Sequence, residues 1–324
     1  MHYIDTLYAK LKQLEATPGK NDKLAIVKTF TPEELGTVVL AIDPAYTFYI
    51  AKLPEPSPCE SFTDEWGGRE VALLVDLSTR ARTGNTARRA IGAALGSLKP
   101  SHAEVLSRVI LKDLKCGVGD TLVNTAFPGT IFVPPYMRCS LPDKSNMHKW
   151  PASAWESGVI SDEKADGMFA SHETRDGVVK LMSRQGSVFP ADALPTLHVR
   201  HDQLEGSQLH GELLVYQCGQ LLERQVGNGV LNSLLQGGEL PDDHEVRYVV
   251  WDVIPLNAAV PGGKCETGAA TRRGILKGAV EDLPGISVIP YKVVHSKEEA
   301  LAHYFELLGQ GKEGTIVKHP DGVW

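Results

Sequence analysis

The sequence predicts two domains of different structural class, an all-α N-terminal domain followed by an α+β domain with largely antiparallel sheets. Three observations support this prediction. Apolar residues recur at helical spacing over about the first 115 residues, prolines interrupt residues 127–149, and short strand-like runs then alternate with helices. A length of 324 residues also suits about two domains. We therefore place the boundary near residue 131, which gives domains at 1–131 and 132–324.

Helix start signals define the elements of the N-terminal domain. Residues 31–34, Thr-Pro-Glu-Glu, combine an N-cap residue, a proline at the first helical position and a reciprocating glutamate. Residues 101–104, Ser-His-Ala-Glu, have the pattern of a second capping box. Residues 64–77 show helical periodicity, and residues 83–85, Thr-Gly-Asn, predict a turn that leads into another helix. The N-terminal domain is therefore expected to be wholly helical.

The C-terminal domain contains short runs with the composition of strands, separated by segments with helical periodicity. The predicted strands are residues 177–182, 212–217, 246–253, 287–294 and 314–318. The predicted helices are residues 220–234, 272–280 and 296–309, the last with its own capping box. Strands and helices mixed in this way are typical of an α+β domain.

The composition argues against several classes of protein. Residues 1–15 are amphipathic and charged, without the apolar core of a signal peptide, and no apolar run is long enough to span a membrane. The cysteines lack metal-ligand spacing and do not imply a disulfide framework. They are Cys59, Cys116, Cys139, Cys218 and Cys265. These features fit a protein of the reducing cytoplasm that has no membrane partner.

Charge is distributed unevenly along the chain. The net charge is −7, but residues 1–130 carry 15 basic and 15 acidic side chains, so this half is neutral. Within it, residues 77–103 contain five basic residues and no acidic one. A solvated helix face would give the same pattern, but a helix start beside arginines can also hold phosphates of a nucleic acid. The candidate contacts are Arg80, Arg82, Thr83, Gly84, Asn85, Arg88 and Arg89.

The candidate nucleophile is Lys164, in the sequence Lys-Ala-Asp-Gly at residues 164–167. A lysine attacks phosphorus or a carbonyl only as the free amine. Holding a lysine amine neutral near pH 7.5 costs about 4 kcal/mol unless burial or neighbouring cations lower its pKa. A surface turn could have the same four residues, so the motif alone does not decide between the two interpretations.

Four further segments follow the lysine in order. They are residues 183–186 (Ser-Arg-Gln-Gly), 210–214 (His-Gly-Glu-Leu-Leu), 248–252 (Tyr-Val-Val-Trp-Asp) and 313–318 (Glu-Gly-Thr-Ile-Val-Lys). Each has a common structural explanation, such as a hairpin turn, an edge-strand glutamate or a core tryptophan. Their order downstream of Lys164 is what distinguishes them.

These segments resemble motifs I, Ia, III, IIIa and IV of the covalent nucleotidyltransferase superfamily, which contains ATP-dependent DNA ligases, RNA ligases and mRNA capping enzymes. Upstream, residues 113–118, 127–129 and 135–137 are similar to the DNA-binding domain and linker of the T-even bacteriophage type DNA ligases. Residues 82–85 and 228–232 resemble segments of the same group. The resemblance therefore implies a helical DNA-binding domain at 1–131 and an adenylation domain, of the ATP-grasp-like nucleotidyltransferase fold, at 132–324.

The resemblance implies a three-step reaction. Lys164 is expected to attack the α-phosphate of ATP, release pyrophosphate and hold AMP as a phosphoramidate. AMP would then pass to the 5′-phosphate of a DNA nick, and the 3′-hydroxyl would displace it, as in DNA replication, repair and recombination. The implied partner is nicked double-stranded DNA, bound by a monomer in the cytoplasm, or in the host cytoplasm if a phage encodes the chain.

The remaining site residues are also assigned by the resemblance. The nucleotide is expected to contact Glu163, Arg184, Glu212, Trp251 and Lys318, with Trp251 stacked on adenine and Lys318 at the AMP phosphate. Glu212 and Glu313 are expected to bind Mg²⁺ or another divalent metal, since this ion takes carboxylate and phosphate oxygens.

The chain departs from the family pattern in two ways. Phe169 stands where the family usually has an arginine that contacts the nucleotide. Either a two-residue gap shifts the register, or another cation, Arg175 or Arg184, replaces this arginine. The sequence also stops before motif V and the OB domain, so we expect this chain alone to self-adenylate poorly. The alternatives are an RNA ligase, another covalent nucleotidyltransferase, or a nick-binding remnant without catalysis. No adenylate module or zinc cluster of an NAD-dependent ligase is visible.

Overall fold

The structure, a computed structural model, describes residues 2–58 and 65–324. The chain divides into two compact units, Met1–Val133 and Pro134–Trp324. The first is called unit 1 and the second unit 2. Cys59 and the first residue of the predicted helix at 64–77 lie outside the described residues.

Unit 1 consists of helices in the residues that the structure describes. They are α1 Tyr3–Ala16, α2 Lys20–Val27, α3 Pro32–Ile42, α4 Gly68–Ser78, α5 Gly84–Ser97, α6 Pro100–Ile110 and α7 Asp120–Ala126. Their apolar faces meet in one core that includes Leu7, Leu11, Ile91 and Leu106, all essentially excluded from solvent. Burial of these faces is what stabilises helices of only 7 to 14 residues.

One predicted capping box in unit 1 is confirmed and the other is wrong. The Thr31 hydroxyl accepts from the Glu34 amide, and the Thr31 amide donates to the Glu34 carboxylate. The helix predicted from Ser101 begins earlier, with Lys99 at the N-cap and Pro100 at the first position. Proline fits there because its missing N–H would have no partner in the first turn. Glu104 instead pairs with Lys12 and Arg108.

Unit 2 combines strands and helices. The strands are β1 Val159–Glu163, β2 Met168–Arg175, β3 Val178–Ser183, β4 Ser207–Gln217, β5 Gln220–Leu221, β6 His244–Pro255, β7 Ile286–Val288, β8 Tyr291–Val294 and β9 Thr315–Lys318. The helices are α8 Ala152–Glu156, α9 Arg224–Leu235, α10 Ala269–Val280 and α11 Lys297–Gly309.

The strands form two sheets. A three-stranded sheet has the order β8-β1-β9, and a six-stranded sheet has the order β3-β2-β4-β6-β7 with β5 paired to β4. All pairings are antiparallel except β6 with β7. The largely antiparallel α+β architecture predicted for this half of the chain is therefore confirmed.

The sequence prediction for unit 2 needs three corrections. The sequence patterns do not predict β1 and β2. The run at 287–294 is two strands in different sheets, because Pro290 has no N–H to continue the first ladder. The helix predicted at 220–234 begins at Arg224, and the residues before it form β5.

The core of unit 2 contains a buried histidine beside a buried tyrosine. Tyr248 donates its hydroxyl to the Ala170 carbonyl at 2.8 Å, and the His172 ring stacks 6.4 Å from it. Burial lowers the pKa of His172 to about 4, with the nearby His198 and His201 adding to the effect. The fold therefore keeps this imidazole neutral.

We expect the pKa of His172 to make unit 2 less stable in mild acid. The unfolded chain takes up this proton near pH 6.5 and the folded chain near pH 4. The contribution of His172 to the free energy of unfolding is therefore fully present above pH 6.5 and decreases as the pH falls below 6.5. Between pH 7 and 5 the decrease is about 2 kcal/mol from this group. Urea unfolding followed by tryptophan fluorescence measures it, since four of the five tryptophans lie in unit 2. A His172→Gln variant with an unchanged pH dependence would contradict the assignment.

Candidate active site

Lys164 lies at the end of β1, where the chain leaves the three-stranded sheet. The Glu163 amide donates to the Pro290 carbonyl and the Lys164 amide to the Gly314 carbonyl, each at 2.8 Å. These bonds extend the pairing of β1 by one residue and fix the backbone of the lysine. They also bring Lys164 next to Glu313, with which its ammonium forms an ion pair. Both side chains remain about one-third exposed, at 35% and 37%, so a ligand can reach them.

Gly167 joins this segment to the six-stranded sheet. Its amide donates to the Glu212 carboxylate at 2.6 Å. A Cβ atom at this position would lie 2.4 Å from the Leu213 carbonyl oxygen, so the approach requires glycine. Glu212 stands opposite Phe169 in the β2–β4 register. The residues between Lys164 and Phe169 therefore connect the two sheets, with Glu212 at the connection.

Glu212 is a half-buried carboxylate close to charged neighbours. Burial raises its pKa above the ordinary value, and the adjacent Glu313 adds to this. The hydrogen bond from Gly167 and the charges of Lys164 and Arg224 act in the opposite direction. A carboxylate in these surroundings favours a cation as its partner.

Aromatic side chains line the site next to Glu212. The Phe169 ring lies 6.1 Å from Trp251, 5.7 Å from Tyr136 and 5.8 Å from His210, measured between centroids. Trp251 is only partly buried. A partly exposed indole beside charged groups offers a flat surface on which a base can stack.

Of the two arginines expected to replace the cation missing at Phe169, one is near the site. In the β2–β3 register Ala170 pairs with Ser183, so Arg184 follows on the Phe169 side. The Arg184 guanidinium lies 4.1 Å from the centre of the Tyr136 ring, which itself contacts Phe169. Arg175 lies at the other end of β2 and pairs with Glu173 at 2.9 Å. The geometry therefore favours Arg184.

Lys318 and Glu163 have different surroundings. The Lys318 ammonium is 2.8 Å from the Asp162 carboxylate and 3.4 Å from the Trp251 carbonyl, so it lies within the site. The Glu163 carboxylate pairs with Lys312 at 2.8 Å. The sequence patterns do not single out Asp162 or Lys312, although the two-residue period of a strand places Asp162 on the same face as Lys164.

The structure thus brings together Lys164, Glu212, Glu313, Trp251 and Lys318, with Arg184 joined through Tyr136. Among the described residues there is no cluster of three or more His, Cys, Asp or Glu side chains arranged for a metal. Two carboxylates beside Lys164 do fit Mg²⁺, since this ion is commonly held by one or two carboxylates together with substrate phosphates. The donor set therefore suits a metal that arrives with a nucleotide.

In unit 1, the candidate phosphate contacts lie around the start of α5. Thr83 is the N-cap, and the helix begins at Gly84, whose φ of 53° is left-handed. Arg88 and Arg89 are exposed beside a surface cavity of about 330 Å³ that Asn85 also lines. These groups are available to an anion.

The other basic residues of this region have partners within unit 1. Arg82 pairs with Asp76 at 3.0 Å, and the Arg80 guanidinium lies 5.0 Å from the centre of the Tyr49 ring. Lys99 pairs with Glu65. The local excess of positive charge is therefore smaller than the sequence alone indicates.

In the described part of the chain, no helix has the length and apolar character needed to cross a membrane.

Comparisons with known proteins bear on both the family and the fold of this chain. The family model described as "ATP dependent DNA ligase domain" matches residues 144–324, which is more than half of the chain. The DNA ligase of Enterobacteria phage T4 is 26% identical over 360 aligned positions, covering 97% of this chain and 72% of the relative. The DNA ligase of Enterobacteria phage T6 gives the same values. A solved structure titled "Pmar-Lig_PreS3" has a TM-score of 0.61 at 21% identity, over 98% of this chain and 74% of its own, which supports the fold.

Replacing Gly167 by alanine is expected to destabilise unit 2 by about 1–3 kcal/mol, because the new methyl group overlaps a backbone carbonyl that cannot move aside. Gly229 in α9 is the matched control, since a Cβ there meets nothing within 4 Å. Gly229→Ala is expected to stabilise by roughly 0.5–1 kcal/mol. Urea unfolding of both variants checks this, and equal midpoints would contradict the packing argument.

Proposed function

This chain belongs to the ATP-dependent DNA ligases, and we propose that Lys164 is the residue that carries AMP in its reaction. The observation that supports this most directly is the position of the Lys164 ammonium. It contacts Glu313, lies close enough to Glu212 to influence its charge, and follows β1, whose neighbour β9 supplies Lys318. Trp251 lies in β6 of the other sheet, with its carbonyl 3.4 Å from the Lys318 ammonium. The amine of Lys164 therefore lies beside two carboxylates that can hold a cation, and β9 supplies a second lysine that can meet a phosphate.

In the first step, the Lys164 nitrogen attacks the α-phosphorus of ATP. A P–N bond forms, the bond from the α-phosphorus to the bridging oxygen breaks, and pyrophosphate leaves with the electron pair. The lysine must lose its proton before it attacks, since only the free amine is a nucleophile. Glu313 pairs with the ammonium in the free protein and so favours its charged form, which means that this proton has to pass to solvent before the attack.

In the second step, an oxygen of the 5′-phosphate at a DNA nick attacks the phosphorus of the lysyl-AMP adduct. The P–N bond breaks and the amine of Lys164 is restored. In the third step, the 3′-hydroxyl attacks the activated 5′-phosphate, AMP leaves and the nick is sealed. The protein positions these groups rather than supplying further covalent chemistry.

The other side chains bind and orient the nucleotide. Trp251 offers its partly exposed ring to adenine, and Lys318 and Arg184 offer cations to phosphate. Glu212 and Glu313 would hold Mg²⁺, which supplies charge neutralisation at the phosphates when bound. Glu163, whose carboxylate pairs with Lys312, would contact the nucleotide from its position next to Lys164.

Unit 1 would bind the duplex through its phosphates. Arg88, Arg89 and Asn85 are exposed around one cavity at the start of α5, and contacts of this kind hold DNA without reading its sequence. The surface is completed by Arg80, Arg82, Thr83 and Gly84. We propose that the chain acts as a monomer in the cytoplasm on nicked DNA, with ATP as the source of AMP.

The assignment of Lys164 is tested by covalent labelling. Incubation with Mg²⁺ and ATP labelled at the α-phosphate, followed to completion on a denaturing gel, is expected to label the wild type. Lys164→Ala and Lys164→Arg should remain unlabelled, because neither offers a free amine at this position. Lys180→Ala, which removes an exposed lysine of β3, is the control and should label as the wild type does. Labelled Lys164→Arg protein would refute the assignment.

The role of unit 1 is tested by the salt dependence of DNA binding. Arg88→Ala/Arg89→Ala is expected to weaken binding to nicked duplex and to reduce the slope of log K against log [salt] by about 2, one for each phosphate that is no longer neutralised. Lys20→Ala/Lys28→Ala removes the same charge from exposed positions of unit 1 outside this surface. If both double variants change the slope equally, the start of α5 is not a specific binding surface.

A further inference from the structure

We propose that Asp162 and Arg273 are positioning residues, which hold the Lys318 ammonium against the phosphate of the bound nucleotide. This inference rests on the proposed function of the site. Neither residue belongs to the segments that identified the nucleotide site in the sequence. Asp162 lies in β1, Arg273 in α10 and Lys318 at the end of β9.

The strand register places these groups on one face of the three-stranded sheet. Ile160 pairs with Lys318 and Asp162 pairs with Ile316. Residues 160, 162 and 164 alternate with their neighbours along β1, so Asp162 lies between Lys164 and the residue opposite Lys318. The Lys318 side chain crosses diagonally to Asp162, a distance that a long side chain can span.

Asp162 is held from the other side by helix α10. One terminal nitrogen of Arg273 donates to both carboxylate oxygens, at 2.6 and 2.7 Å. The side chains of Asp162 and Arg273 are only 2% and 5% exposed. Because Arg273 fixes the orientation of the Asp162 carboxylate, this carboxylate is a rigid hydrogen-bond acceptor for the Lys318 ammonium.

The charge of this cluster points to an anion. One buried carboxylate faces two cations, Arg273 and Lys318, so one positive charge is not neutralised within the cluster. Two nitrogens of Arg273 also have no hydrogen-bond partner among the described residues. The Lys318 side chain is the more exposed of the two cationic side chains, at 18%, and its ammonium lies 3.4 Å from the Trp251 carbonyl. A phosphate bound beside the Trp251 ring would complete the charge balance.

The test compares AMP with adenosine, because only AMP carries the phosphate that Lys318 would meet. Titration calorimetry is carried out on the wild type, Asp162→Asn, Lys318→Met and the double variant. Each single variant is expected to lower AMP affinity roughly tenfold, because one charge-assisted hydrogen bond to the phosphate is weakened or removed, and to leave adenosine affinity unchanged. The double variant should bind AMP no more weakly than Lys318→Met does, because Asp162 acts through Lys318.

The matched control is Asp252→Asn, which breaks a similarly buried pair with Arg272, at 2.7 Å, elsewhere on α10. It is expected to lower stability but to keep the ratio of AMP to adenosine affinity. Additive effects in the double variant, or an equal decrease for adenosine, would overturn the proposal. The two proposals can fail separately. If Lys164 is not labelled by ATP but Asp162→Asn still lowers the ratio of AMP to adenosine affinity, the proposed role of Lys164 is refuted and this inference stands.

Discussion

The site depends on the close approach of Gly167 to strand β4. There the chain leaves the three-stranded sheet and enters the six-stranded one, and the Gly167 amide is bonded to the Glu212 carboxylate at 2.6 Å. Lys164 precedes this contact and Phe169 follows it, so one hydrogen bond and one missing side chain set the distance between Lys164 and the Glu212 carboxylate. Because Leu213 supplies the backbone oxygen that excludes a larger residue, packing and chemistry are linked at adjacent positions.

Two kinds of sequence signal support the predictions. Thr31 and Glu34 predict their helix through a pattern of neighbouring residues, whereas the proposal for Lys164 depends on its order relative to segments far along the chain. Strand β1 escapes prediction because Asp162 and Glu163 resemble loop residues. Their charges are tolerated in a strand only because Arg273, Lys318 and Lys312 arrive from distant parts of the chain. These ion pairs form only in the folded chain, so no pattern of neighbouring residues predicts them.

Folding also reduces the local positive charge of unit 1 below the value that the sequence indicates. Residues 77–103 contain no acid, yet Asp76 and Glu65 from outside this range pair with Arg82 and Lys99. Arg88 and Arg89 remain exposed after this pairing. A count over a sequence window therefore overstates the field of a surface, because partners enter from residues that the window omits.

Helix α10 has two consecutive arginines that form ion pairs with different sheets. Arg272 holds Asp252 of the six-stranded sheet, and Arg273 holds Asp162 of the three-stranded sheet. Neighbouring residues on a helix point about 100° apart, which lets one helix reach both sheets. An insertion or deletion of one residue in this helix would turn both guanidinium groups away together. Both buried ion pairs thus depend on the phase of one helix, and redesign of either sheet has to preserve that phase.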